Sequence, residues 1–334
     1  MPACAPQRLG ETGVMTHWDA RDIPSLTGRH ALVTGANSGL GYHTALELAR
    51  HGADVTLAQR DRAKGEVALA ALRAELAGAD TPGALELAEL DLARLESVRT
   101  LAESLLASGR DLHLLVNNAG VMAIPRRETA DGFEMQLGTN HLGHMALTLL
   151  LLPALARTGR SGTASRVVTV ASGAHRMGRI DLDDLMGEER YRPWRAYGQS
   201  KLANLLFAFE LQRRLDALGV PVASYAAHPG YASTNLQTVG PRMRGSRVGV
   251  RLAGWGNAVL GQSAAMGALP TLYAATVAGL APGSYIGPDG FLEQRGYPRV
   301  VSASDAARDE SMAAALWARS EALIGISLDD VRTL

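Results

Sequence analysis

Thr34-Gly35-Ala36-Asn37-Ser38-Gly39-Leu40-Gly41 lies between an apolar run, His30 to Thr34, and a segment, Gly39 to His51, with apolar residues at helical spacing. The run is short and stops at glycine, as a strand buried on both faces of a parallel sheet does. Three glycines permit a tight turn and let an anion approach the main chain. The helix that follows offers unpaired N–H groups and the positive end of its dipole. Such a turn, at the head of a strand–helix series, predicts dinucleotide binding. It is written G-x-x-x-G-x-G rather than G-x-G-x-x-G. Gly35, Asn37, Ser38, Gly39, Leu40 and Gly41 are its candidate contacts.

The alternation continues outward from this turn. Ala53 to Ala58, Ala84 to Leu90, Leu112 to Asn117, Arg166 to Ala171 and Val220 to Ala227 read as strands. Arg62 to Leu76, Leu95 to Ala107, Phe133 to Ala156 and Trp194 to Leu218 read as helices. The pattern predicts one Rossmann-type α/β domain over residues 26–334, a doubly wound parallel sheet with helices on both faces. Residues 1–25 form an N-terminal extension. Residues 235–262 are an irregular, Gly- and Arg-containing excursion, expected to be a mobile substrate lid.

Composition narrows the partners. Lysine plus arginine and aspartate plus glutamate balance at 33 each, which gives no global attraction to nucleic acid. Cys4 is the only cysteine, so disulfides within the chain are impossible and a cytoplasmic setting is expected. No unbroken apolar run reaches the ~18 residues of a membrane span. Met145 to Ala156, interrupted by Thr148 and Pro153, reads as a buried helix, and the first residues carry no secretory pattern.

Which dinucleotide binds is set at the end of the second strand, Ala58-Gln59-Arg60-Asp61. An acid there would hold a ribose 2′-hydroxyl and repel a 2′-phosphate. Gln59 takes that place, and Arg60 is suited to pair with a phosphate. The reading favours NADP(H) over NAD(H), with Asp61 as ribose ligand the alternative. Asp91 and Leu92, after the third strand, are the candidate adenine contacts.

Tyr197 and Lys201 lie four residues apart on a helical segment and so share a face. An ammonium beside a phenol stabilises the phenolate and draws its pKa from ~10 toward the working range. Ser172 lies upstream at a strand end, where a lone serine ordinarily serves turn chemistry. Three histidines near this region, His141, His144 and His175, read as structural or pocket-lining, since no carboxylate or cysteine joins them as a metal ligand. Trp194 and Trp255 border the substrate opening. Arg242, Arg244, Arg247 and Arg251 read as solvated loop residues.

TGANSGLG (34–41), NNAG (117–120), Asn140, Ser172, YGQSK (197–201) and HPG (228–230), in this order and at these intervals, resemble the short-chain dehydrogenase/reductase family. AQRDRAKGE (58–66), TNHLGHM (139–145) and SKLANLLF (200–207) are similar to the retinol dehydrogenase-like and protochlorophyllide reductase-like subgroup. The resemblance implies an NADP(H)-dependent oxidoreductase acting on a carbonyl or secondary alcohol, its substrate a lipophilic small molecule. Tyr197 would be the general acid/base, and Lys201 would bind the nicotinamide ribose and tune it. Ser172 would hold the substrate oxygen, and Asn140 would interrupt its helix and position a water. Asn118, Ala119 and Gly120 would line the cofactor's centre, with Pro229, Ala232 and Thr234 at the nicotinamide amide. Family members often pair through helices corresponding to Phe133–Ala156 and Trp194–Leu218, so a homo-oligomer is possible. The alternatives are C=C reduction of the protochlorophyllide reductase type and a non-catalytic dinucleotide sensor.

Overall fold

The computed structural model describes residues 17–231 and 262–329. Eight strands form one sheet in the order β3-β2-β1-β4-β5-β6-β7-β8. They are β1 (His30–Thr34), β2 (Asp54–Gln59), β3 (Leu85–Glu89), β4 (Leu114–Asn117), β5 (Ser165–Val170), β6 (Val222–Ala227), β7 (Tyr285–Pro288) and β8 (Pro298–Val300). All pairings are parallel except β7 with β8. The chain reverses direction across the sheet between β1 and β4, and a crevice opens there at the strands' C-terminal ends.

The near-continuous apolar runs follow from burial on both faces, because alternate residues serve opposite layers. Leu32, Leu115 and Val167 face the layer of α3 (Leu95–Ala107), α5 (Gly143–Arg160), α6 (Pro193–Leu218) and α8 (Glu310–Ile324). Ala31, Val33, Leu114, Val116 and Val168 face the layer of α1 (Gly39–Arg50), α2 (Arg62–Leu76) and α7 (Ala264–Thr276).

The helix expected over Phe133–Ala156 is three pieces. A short α4 (Met135–Leu137) runs into a π-helical turn, Gly138–Leu142, and then into α5. A π turn admits one extra residue and re-aims the side chains after it, which places such turns at functional sites. Met135–Arg160 together is the one stretch, among the described residues, long and apolar enough to cross a bilayer. Most of it is buried inside the protein, where it serves as the core helix.

Beyond Ala227 the sequence reading placed no regular element, whereas the described residues there include two α-helices and two strands. α7 is apolar on nearly every side and carries Pro270, which hides its period. β7 and β8 have four and three residues, too few to show alternation. α8 packs on α6, stacking Trp317 on Phe207 at 5.7 Å, and covers part of the face where copies were expected to pair.

Candidate active site at the sheet's C-terminal edge

The phosphate-binding turn is built by close backbone approach. Gly35 and Gly39 have φ of +67° and +59°, left-handed values that favour glycine. A Cβ on Gly35 would sit 3.0 Å from Ala119 Cα, and one on Gly41 would overlap Asn118 Nδ2 and the Gly35 carbonyl oxygen. Asn118 locks the turn: its Nδ2 donates to Thr34 O at 2.7 Å, and its main-chain N–H donates to Thr34 Oγ1 at 2.9 Å. Ser38 precedes α1 without capping it by side chain, and Asn37, Gly39 and Leu40 are partly exposed beside it. The first N–H groups of α1 therefore lack a side-chain cap from Ser38 and remain for an anion to satisfy. The cradle fits a dinucleotide pyrophosphate.

At the end of β2 the two candidates separate. Gln59 is 5% exposed and tucked beneath Gly65 of α2, where only a glycine leaves room for its amide. Asp61 is engaged as the α2 cap, accepting from Lys64 N at 3.1 Å and pairing with Lys64 Nζ at 2.8 Å. Arg62 is held by Glu66 at 3.0 Å. Arg60 is exposed, and no ion pair involving it occurs among the described residues. Asp91 is used locally, its Oδ1 accepting from Ala93 N at 3.0 Å, and Leu92 is buried beneath Gly143.

The catalytic candidates converge at the ends of β4, β5 and α6. α6 starts with Pro193 at its first turn, a position where the missing N–H costs nothing. Gly198 and Gly178 pack main chain on main chain, which brings Tyr197 against the segment that begins at Ser172. Tyr197 is buried and hydrogen-bonded to Ser172. Ser172 Oγ also accepts from Ala174 N at 3.2 Å. Lys201, 4% exposed, places Nζ 6.0 Å from the Tyr197 ring centre and donates to Val170 O at 2.9 Å.

Burial raises the Tyr197 pKa, the bond from Ser172 opposing it, and lowers that of Lys201 to about 8. The protein groups around Tyr197 thus act against the depressed phenol expected from the Tyr–Lys spacing. Burial of the phenol outweighs an ammonium 6.0 Å from the ring centre.

Asn140 lies in the π turn and is fully engaged. Its Oδ1 accepts from Val121 N at 2.8 Å, and its Nδ2 donates to Val121 O and Ser200 Oγ, each at 2.9 Å. A Cβ on Gly120 would meet Asn140 Oδ1 at 3.0 Å and Lys201 Nζ at 3.7 Å, so Gly120 is the small residue that lets these groups meet. Asn118, Ala119, Gly120, Asn140, Ser172, Tyr197 and Lys201 thus share one region. Pro229 borders it through β6, its carbonyl oxygen accepting from Gln262 Nε2 at 2.6 Å. Ala232, Thr234, Trp255, the four arginines from Arg242 to Arg251 and the lid expectation for 235–262, save Gln262 itself, lie outside the described residues.

Sequence reasoning missed the support from the C-terminal segment. His175 Nδ1 donates to Ser172 O at 2.7 Å, and its Nε2 accepts from Ser304 N at 3.3 Å. His228 Nδ1 accepts from Gly230 N at 3.3 Å, which leaves its proton on Nε2, 3.1 Å from Glu293 Oε2. Glu293 is also bridged by Arg176 at 3.4 Å. The Tyr285 ring lies between the two histidines, 5.7 Å from His175 and 5.1 Å from His228. HPG was a signal for His228; nothing in the sequence flagged Glu293.

Residues 29–244 match the family model described as short chain dehydrogenase. The chain is 45% identical to the polyprenol dehydrogenase of Mus musculus over 306 residues, covering 91% of this chain and 86% of that protein. It is 39% identical to the retinol dehydrogenase 13 of Homo sapiens over 318 residues, covering 92% and 88%. A crystal structure of an uncharacterized protein from Mycobacterium paratuberculosis superposes with a TM-score of 0.75 at 47% identity, covering 94% of this chain and 99% of that one. The chain belongs to the short-chain dehydrogenase/reductase family and is an NAD(P)-dependent oxidoreductase acting on CH–OH groups.

Proposed function

We propose that the protein interconverts a lipophilic alcohol and its carbonyl compound with NADP(H), and that Tyr197 is its general acid/base. One observation carries this: a buried tyrosine hydrogen-bonded to Ser172, with the Lys201 ammonium 6.0 Å from its ring centre, at the C-terminal edge beside the phosphate-binding turn. Hydride transfer is the chemistry a bound nicotinamide supplies. The protein's part is the proton and the oxygen. In reduction, the Tyr197 hydroxyl donates to the carbonyl oxygen as that oxygen gains charge, and the Ser172 hydroxyl holds the same oxygen. The phenolate left behind is stabilised by the Lys201 ammonium. In oxidation the phenolate takes the alcohol proton back.

Arg60 supports NADP(H). It is the one cation in the run Arg60–Lys64 without an ion pair, since Arg62 and Lys64 are both held by carboxylates. The relatives' names, polyprenol and retinol dehydrogenase, support a long apolar alcohol. So does the rim: Trp194 is 51% exposed and edge-on to Tyr197 at 6.0 Å, and Met177 is 63% exposed five residues after Ser172. A cytoplasmic setting belongs to the same reading, supported by the single cysteine.

The test is a panel of apolar aldehydes and ketones, with enone C=C substrates beside them, followed at the NADPH absorbance band. Turnover of the carbonyl group with NADPH, at least tenfold better than with NADH, is the expected result. Reduction of C=C bonds alone, or a preference for NADH, overturns the proposal.

A further inference from the structure

His144 is 1% exposed, on the first turn of α5, and both of its ring nitrogens are engaged. Nδ1 lies 3.0 Å from the Asn140 main-chain oxygen, and Nε2 lies 2.9 Å from Thr34 Oγ1. A carbonyl oxygen only accepts, so Nδ1 carries the proton. Burial without a carboxylate partner keeps the ring neutral. Nε2 is therefore an acceptor, and the Thr34 hydroxyl donates to it at 2.9 Å rather than to the longer contact, Val116 O at 3.3 Å.

The same hydroxyl accepts from the main-chain N–H of Asn118 at 2.9 Å and of Ala119 at 3.0 Å. Thr34 opens the phosphate-binding turn, and Asn118 and Ala119 follow directly on β4. On the other side, Asn140 clamps Val121 and Ser200, and Ser200 Oγ donates to Tyr197 O at 2.9 Å. One buried imidazole thus joins the turn that holds the cofactor's phosphates to the π turn beside the catalytic tyrosine. His141, three residues earlier, does nothing of the kind: its Nε2 meets Ser320 Oγ of α8 at 2.9 Å.

We infer that His144 is a positioning residue that sets the register between the cofactor cradle and the catalytic turn, through the path Thr34–His144–Asn140. The inference rests on the cofactor reading of this site. It concerns cofactor affinity and the reacting geometry, not a proton step, since both ring nitrogens are committed.

The experiment compares wild type with His144→Phe, His144→Gln, Thr34→Val and the double variant Thr34→Val/His144→Phe. NADPH dissociation constants come from fluorescence titration, Michaelis constants for cofactor and substrate from steady-state rates, and melting temperatures from the cofactor-free proteins. Losing the paired bonds in His144→Phe should weaken NADPH about tenfold and lower kcat, with the substrate KM within about twofold. Gln at 144 offers one donor and one acceptor and should restore binding to within about threefold of wild type. The double variant should be no weaker than the worse single variant, because both cut one path. Wild-type NADPH affinity in His144→Phe, or additive losses in the double variant, overturns the inference. So does a fall in melting temperature shared by Phe and Gln with no separation in NADPH affinity. If His144→Phe does not fold, Thr34→Val and His144→Gln carry the same comparison. Failure of wild type itself to bind NADPH would strike the cofactor reading instead.

Discussion

The cofactor side of the crevice and the substrate side are held by different means. Between β1 and α1 the shape comes from backbone: two glycines at positive φ, a third with no room for a Cβ, and Asn118 bonded to main-chain oxygens. Around Ser172 and His228 the shape comes from side chains meeting residues distant along the chain, His175 with Ser304 and His228 with Glu293. Backbone-built sites tolerate no added atom, whereas side-chain-built sites can be retuned one contact at a time. A common hydride-transfer chemistry on one side and an adjustable pocket on the other follow from that division.

The sharpest way to break this contrast is Gly41→Ala. The new methyl would overlap Asn118 Nδ2 and the Gly35 carbonyl oxygen, both held by the sheet. NADPH affinity should fall at least a hundredfold while the protein stays folded, at a cost of about 1–3 kcal/mol in stability. Calorimetric titration beside urea unfolding reads both. Arg60→Ala comes next: one charge-assisted phosphate contact is about 1.5–3 kcal/mol, so NADPH should weaken ten- to a hundredfold and NADH hardly at all. Equal losses for both cofactors would remove Arg60 from the site.

On the substrate side the effects should be smaller and separable. Glu293→Gln keeps the side chain's shape beside His228 Nε2 but removes the charge facing His228 and Arg176. Substrate kcat/KM should drop two- to fivefold with the cofactor KM unchanged, and a larger shift in cofactor KM would show the two sides are not independent.

The smallest effect is a slope. Burial holds His144 at about 4 and His141 at about 3, below the ordinary imidazole value of about 6.5. A base whose folded pKa is depressed takes up its proton in the unfolded chain first, so stability falls as pH drops from about 6.5 toward 4. His144→Gln removes one such group and should flatten the dependence of unfolding free energy between pH 5 and 6 by up to about 1.4 kcal/mol per pH unit. An unchanged slope would mean His144 is not buried and neutral as described.

The same contrast explains what could be read in advance. Glycine positions carry backbone information in the sequence itself, so TGANSGLG and NNAG disclosed their turns, and parallel strands buried on both faces disclosed the sheet. Y-x-x-x-K placed Tyr197 and Lys201 on one helix face, as the structure has them. The π turn at Asn140 is legible only through the family resemblance, which implies an interrupted helix there; the apolar residues around it keep a helical period and hide it from the pattern. Nor did Glu293, whose meaning depends on a β7–β8 hairpin of seven strand residues folding back on His228. The surroundings of Tyr197 are hidden for a related reason: spacing shows a charge nearby but not how completely the phenol is buried.

The central claim, that Tyr197 moves the proton, is tested most directly by Tyr197→Phe. The ring, its edge contact with Trp194 and its place over Lys201 survive; only the hydroxyl is lost. Single-turnover rates with NADPH pre-bound isolate the chemical step from cofactor binding. The account predicts a rate lower by about 10²–10⁴ with NADPH affinity within threefold of wild type. A folded Tyr197→Phe protein that binds NADPH normally and turns over at a near wild-type rate would contradict it.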